Sequence, residues 1–262
     1  MTVRVLILPG LFNSGTEHWQ SHWEQRYSGL HRVKQDNWET PACVDWVQNL
    51  HKKITKSERP VVLVGHSLAC TLIARWAQQH PKEARRVRGA LLVAPSDTEA
   101  DSYPAGTSGF SPMPLNTLPF DAITVASTND PYVTRERAEA FSQAWGSELV
   151  WLENAGHING EGGYGTWPQG IELLFKLTGG CTGIWSPATR AICRITGASV
   201  TSIWVRWLWY CLLLCCSAKP ISGLKPPCSG ECWCFWGWSP LHLACIGGTR
   251  ARAWSVARPW RS

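Results

Sequence analysis

Along the first 180 residues, short apolar runs alternate with longer stretches whose apolar positions recur at helical spacing. The first pattern predicts strands and the second predicts helices. Strands are expected at 3–8, 61–64, 89–94, 122–127 and 148–152, with a weaker one at 31–35. Helices are expected at 17–27, where Trp19, Trp23 and Tyr27 share a face, and at 43–56, where Val44, Val47, Leu50 and Ile54 recur. Further helices are expected at 68–79, ending near Pro81, at 134–145, and near 168–177 after a glycine-rich loop. The run at 61–64 has no polar position, as in a strand covered on both faces. Six strands interleaved with helices predict an α/β fold, with a mainly parallel sheet and helices on both faces. Functional residues then belong at the carboxyl ends of the strands.

Composition divides the chain after Gly180. The first segment holds 16 basic and 18 acidic residues, and the remaining 82 residues hold 9 basic and one acidic, Glu231. The formal charge of +6 is therefore the sum of two unlike segments, and it does not make the protein a basic nucleic-acid binder. The second segment also carries 9 of the 17 Trp and 9 of the 11 Cys, with no Asp, Asn or Gln. Cys43 and Cys70 are the cysteines of the first segment, so no disulfide framework is implied there. The first apolar run is too short for a signal-peptide core. Together these features lead us to expect a cytoplasmic protein with an α/β domain over 1–180.

The strand at 61–64 leads into Gly65-His66-Ser67-Leu68-Ala69, and a helix follows directly. This is a G-x-S-x-A form of the nucleophile elbow. A tight turn lifts the Ser67 hydroxyl out of the sheet, and small residues at 65 and 69 let helix and strand pass closely. The Leu68 amide, at the helix N-terminus, faces a developing oxyanion. A serine needs an adjacent base, and in this arrangement acid and histidine follow it in that order. Asp130 lies just beyond the strand at 122–127, and His157 lies beyond the strand at 148–152. Ser67, Asp130 and His157 are thus expected on one sheet edge as a catalytic triad. A second oxyanion donor is expected from Pro9-Gly10-Leu11-Phe12, through the Leu11 amide or alternatively that of Phe12. These parts imply acyl transfer through an acyl-enzyme, and no cofactor is expected.

The same residues resemble the small α/β-hydrolase serine hydrolases typified by retinoblastoma-binding protein 9 and the bacterial YdeN-like proteins, the bacterial members more closely. The matching pieces are Leu8-Pro9-Gly10-Leu11 with Glu17-His18-Trp19, Val64-Gly65-His66-Ser67-Leu68-Ala69, and Leu118-Pro119-Phe120. Ser127-Thr128-Asn129-Asp130-Pro131-Tyr132, Gly156-His157-Ile158-Asn159 and Gly163-Tyr164-Gly165-Thr166-Trp167-Pro168 complete them. The resemblance implies the same triad, a shortened sheet without a large lid domain, and metal-independent cleavage of small esters or related acyl compounds. Ala69 stands where glycine is commoner in the family. The retinoblastoma-binding L-x-C-x-E motif is absent, so that partner is not carried over and no specific protein partner is expected.

Other residues invite sharper readings with plainer ones beside them. His66 adjoins the nucleophile, but its ring should point away from the base, in a structural role. His18 and His22 could share a helix face but lack a third metal ligand. His18, Trp19 and Phe12, which lie in or just after the oxyanion loop, are pocket candidates. Trp38 and Trp46 read as core, and Cys70 as a small buried filler. The loop at 96–118 is long enough to cover part of a shallow site, with Phe110 as a pocket wall.

The segment 181–262 lacks the residues of turns and caps, and it keeps no hydrophobic period. We expect an irregular or disordered tail and not an evolved domain, since its composition fits GC-rich coding sequence read in the wrong frame. A membrane anchor over 198–218 is one alternative, although Arg206 within it would cost roughly 2.5–3.5 kcal/mol. Zinc at Cys228, Cys232, Cys234, His242 and Cys245 is another, although the spacing fits no finger or ribbon. For the whole chain the expectation is a carboxylesterase-like serine hydrolase acting on a small acyl substrate. Esterase, thioesterase and peptidase share this machinery. A noncatalytic interaction protein on the same fold, or a hydrolase anchored through its tail, are the alternatives.

Overall fold

A computed structural model describes residues 3–179. The expectations for 181–262, including the span at 198–218 and the Cys/His group, lie outside the described residues. Six strands form one sheet: β1 (Arg4–Leu8), β2 (Leu30–Arg32), β3 (Val61–His66), β4 (Val87–Val93), β5 (Asp121–Ser127) and β6 (Glu148–Leu152). Their order is β2-β1-β3-β4-β5-β6, and every adjacent pair is parallel. Six helices accompany them: α1 (Trp19–Arg26), α2 (Cys43–Thr55), α3 (Leu68–Gln79), α4 (Pro81–Ala84), α5 (Arg135–Trp145) and α6 (Pro168–Thr178).

The apolar strands have two buried faces because alternate residues point into different cores. Leu6, Leu8, Leu63 and Leu92 join Trp46, Leu50, Leu72 and Phe141 in a core shared with α2, α3 and α5. Val5, Ile7, Val62, Val64 and Val93 join Trp19, Trp23, Ile171 and Leu174 in a second core, shared with α1 and α6. Each fully buried Val, Leu or Phe contributes about 1.5–3 kcal/mol.

The structure departs from the sequence reading mainly at element ends. β3 runs two residues past the expected 64, because Gly65 and His66 continue the ladder opposite Leu92 and Val93. β2 spans Leu30–Arg32 instead of 31–35; it is an edge strand, paired on one side with Val5, Leu6 and Ile7. Pro81 ends α3 as expected, but it also occupies the first position of the short α4, where its missing N–H is harmless. The strand order reverses between β1 and β3, and the crevice at such a reversal is where open α/β sheets bind ligands.

Candidate active site

Ser67 sits between the last residue of β3 and the first of α3, at φ 57° and ψ −125°. A non-glycine residue there stores about 1–3 kcal/mol of backbone strain. Close packing fixes the turn. A Cβ on Gly65 would lie 2.7 Å from Ile73 Cδ1 and 3.2 Å from the Ala69 backbone. A Cβ on Gly10 would lie 2.7 Å from Ser67 Cβ and 2.9 Å from the His66 carbonyl oxygen, so the loop after β1 presses directly on the serine. The Ser67 amide donates to the Val93 carbonyl at 2.9 Å, tying the turn to β4.

Three sequence-predicted residues meet at this point. His157 Nε2 lies 2.9 Å from Ser67 Oγ, and its Nδ1 lies 2.9 Å from both carboxylate oxygens of Asp130. The Asp130 carboxylate is fully shielded from solvent, and its Oδ1 also accepts from the Tyr132 amide at 2.9 Å. The loop carrying His157 is cross-linked to the one carrying Asp130: Asn129 Oδ1 accepts from the Gly156 amide, and Ser127 Oγ from the Ala155 amide. The Tyr132 ring packs edgewise on His157, with centroids 4.5 Å apart.

These groups open into a cleft of about 640 Å³, which Leu11, Phe12, His18, Ser96, Tyr103 and Tyr132 also line. Among the described residues, Glu17 and Glu161 also line the cleft, whereas no Lys or Arg does. The Leu68 amide is the first of α3 and has no intrahelical acceptor. The Phe12 amide donates to the Trp38 carbonyl at 2.9 Å, so it is spent in the fold, and Leu11 is left as the donor candidate of this loop.

His18 and His66 flank these three residues. His18 caps α1, its Nδ1 accepting from the Gln20 amide, and its ring packs on His66 at 4.6 Å. Burial holds the His18 imidazole neutral, with its pKa pushed down to about 3; Arg32, His157 and His22 act in the same direction. Burial also lowers His66 well below the ordinary range. His66 Nε2 lies 2.9 Å from the His157 backbone oxygen, so it braces the loop that carries His157, and it also reaches the cleft. Burial raises the Cys70 thiol, which points at the Gly65 and Val93 carbonyls behind the turn.

Two pocket candidates lie elsewhere. Trp19 is fully buried among Trp23 and Trp167, and its indole N–H donates to the Ile158 carbonyl. It supports the histidine loop from behind. Phe110 is 1% exposed and packs edgewise on Trp46, so it belongs to the core and not to the cleft wall. From the same long connection Tyr103 and Pro104 reach the cleft instead. Sequence reasoning missed Ser96, whose hydroxyl lies 2.6 Å from Ser67 Oγ, as well as Tyr103 and Tyr132. Tyr132 lies in the Asp130 motif quoted above, and proximity to the end of β4 is the available signal for Ser96, whereas no short-range pattern marks Tyr103.

Among the described residues, no group of three or more His, Cys, Asp or Glu could hold a metal ion. No described helix is long and apolar enough to cross a membrane.

A parallel sheet in this order, with a serine turn where the order reverses, places the molecule among the α/β hydrolases. Within that class, residues 5–176 match the serine hydrolase family, and the chain belongs to it. A crystal structure described as a YdeN-like hydrolase from Pectobacterium atrosepticum is 33% identical, covering 67% of this chain and 90% of its own, with a TM-score of 0.59. The ydeN gene product of B. subtilis is 18% identical, with coverages of 68% and 100% and a TM-score of 0.51. An esterase domain from Rhodothermus marinus, 12% identical over 68% and 88% with a TM-score of 0.51, shares the fold. No curated protein matches the chain in sequence. The protein is thus a small hydrolase of the YdeN-like type.

Proposed function

We propose that the protein cleaves small carboxylic esters or related acyl compounds through an acyl-enzyme on Ser67. The observation that carries this reading is the unbroken hydrogen-bond chain from Asp130 through His157 to Ser67, with each link at 2.9 Å, at the base of a cleft. The carboxylate can only accept, which assigns the proton of the neutral imidazole to Nδ1 and leaves Nε2 as the acceptor of the Ser67 proton.

In the first step Ser67 Oγ attacks the acyl carbonyl while His157 Nε2 takes its proton. Asp130 holds the imidazolium that forms. The oxyanion is received by the Leu68 and Leu11 amides, and each such donor is worth roughly 10²–10³ in rate. His157 then protonates the leaving group. Water repeats the sequence on the acyl-enzyme and frees the acid. No step calls for a metal or a cofactor. A cleft of about 640 Å³, lined among the described residues by loops, suits a small acyl substrate better than a long lipid. The buried, unpaired thiols of Cys43 and Cys70 suit a reducing, cytoplasmic setting.

A fluorophosphonate probe tests the reading directly. The wild-type chain should be labelled, and labelling should vanish in Ser67→Ala. Undiminished labelling or ester turnover in Ser67→Ala would overturn the assignment. Acetate, butyrate and octanoate esters, with the matching thioesters and amides, would then define the substrate class.

A further inference from the structure

Ser96 has no part in the mechanism above, yet its hydroxyl lies 2.6 Å from Ser67 Oγ, and both residues are buried. The direction of that hydrogen bond follows from the rest of the chain. Asp130 accepts from Nδ1 of His157, and Nε2 accepts from Ser67. Ser67 has a single proton, now committed, so Ser96 must donate and Ser67 Oγ must accept.

We propose that Ser96 is a catalytic hydrogen-bond donor to the nucleophile oxygen itself, distinct from the two amides that face the substrate oxyanion. The inference rests on the acyl-enzyme reading above. Ser67 Oγ carries negative charge at two moments. In acylation its O–H bond breaks toward His157 as the bond to the acyl carbon forms. In deacylation the bond between Oγ and the acyl carbon breaks, Oγ keeps the electron pair, and His157 returns the proton. A donor aimed at Oγ is stronger toward that partial alkoxide than toward the resting hydroxyl, so it lowers both barriers. It is the nucleophile's counterpart of an oxyanion hole.

The surroundings fit a group held for this purpose. Ser96 is 1% exposed. The backbone is pinned on either side: two residues before, the Ala94 amide donates to the Val125 carbonyl at 2.8 Å, and directly after, the Asp97 amide donates to the Tyr132 carbonyl at 2.9 Å. Asp97 is held in turn by the Arg137 guanidinium at 2.7 and 3.0 Å. A donor fixed in advance needs no reorganisation when charge develops.

The test compares Ser96→Ala and Ser96→Cys in the full chain. Cysteine keeps nearly the same shape but offers only a weak donor, and it carries the test if the alanine variant does not fold by thermal melting. The readouts are the rate of fluorophosphonate labelling, and the separate acylation and deacylation rates on p-nitrophenyl acetate. In both variants we expect labelling, acylation and deacylation to slow by about 10- to 50-fold, with KM within about threefold. Rates within twofold of wild type overturn the proposal. So does a loss confined to KM or to one of the two steps. Full activity in Ser96→Cys beside loss in Ser96→Ala would assign the residue to packing and also overturn it. A wild-type protein that Ser67→Ala does not silence would instead defeat the acyl-enzyme reading.

Discussion

Two connections at the carboxyl edge of the sheet deliver hydroxyl groups to one point, and they are built in opposite ways. The turn after β3 places Ser67 within a single residue, using tight sterics around Gly65, Gly10 and Ala69. The connection after β4 runs to Phe120 and places Ser96 through a web of distant ties. Arg137 of α5 grips Asp97 and Glu99, Arg75 of α3 reaches the Phe110 and Pro112 carbonyls, and the Trp145 indole donates to the Pro114 carbonyl. The first construction is local and unforgiving. The second spreads over many contacts, each of which is individually replaceable. Damage to the turn should therefore abolish chemistry, whereas damage to the connection should be graded.

The largest expected effect is that of Ser67→Ala, a loss of kcat on the order of 10⁶ with the fold retained, read as ester turnover beside a melting curve. Asp130→Asn should lower kcat by about 10⁴, because an amide in that place no longer enforces the proton on Nδ1. Its measured pH–rate profile separates a misplaced proton from a collapsed loop. Gly10→Ala sets a methyl carbon against Ser67 Cβ and the His66 carbonyl. A displacement near 1 Å there should cost about 10² in kcat. If the turn tolerates that methyl with wild-type kcat, the contrast between rigid and distributed construction fails.

On the other side, Arg137→Met leaves the Asp97 carboxylate buried without its guanidinium. The pair is partly exposed, so the expected destabilisation is only about 1–2 kcal/mol by denaturant titration, with kcat reduced less than tenfold. The last effect is read against pH. His18 titrates near 6.5 in the unfolded chain and at about 3 when folded. The unfolded chain therefore binds more protons between those values. Stability conferred by the neutral ring is complete above pH 6.5 and lost as pH falls toward 3, by at most about 1.4 kcal/mol per pH unit. Burial of His66 acts in the same direction. His18→Gln should flatten the fall in Tm between pH 7 and pH 5, and an unchanged slope would remove His18 from this account.

Much of this architecture is legible in the chain. The uninterrupted apolar runs of β1 and β3 fit strands covered on both faces, and alternation along them divides Leu6 and Leu8 from Val5 and Ile7. Gly65-His66-Ser67-Leu68-Ala69 announces its turn because the constraint is steric and lies within five residues. Asp130 and His157 are legible because each directly follows a strand whose end can be read. Trp19 and Phe110 depart from the expectation for one reason. Nearness in sequence to a site loop does not say on which side of that loop a large ring packs, and both rings found the core. The bounds of β2 differ from the expected 31–35 because a strand of three residues, with Leu30 alone buried, carries too short a period to read.

The layered α/β frame, the serine turn, and the loops that bear Asp130 and His157 follow from short-range sterics and from the period of apolar positions, so they can be read from the chain alone. Tertiary structure alone decided that the Phe12 amide is consumed by Trp38, that Tyr132 covers His157, and that the hydroxyl of Ser96 reaches Ser67 across 29 residues. The physical reason is directional. Burial follows from composition and period, but a hydrogen bond requires two specific atoms within about 3 Å, and only the packed chain fixes that distance.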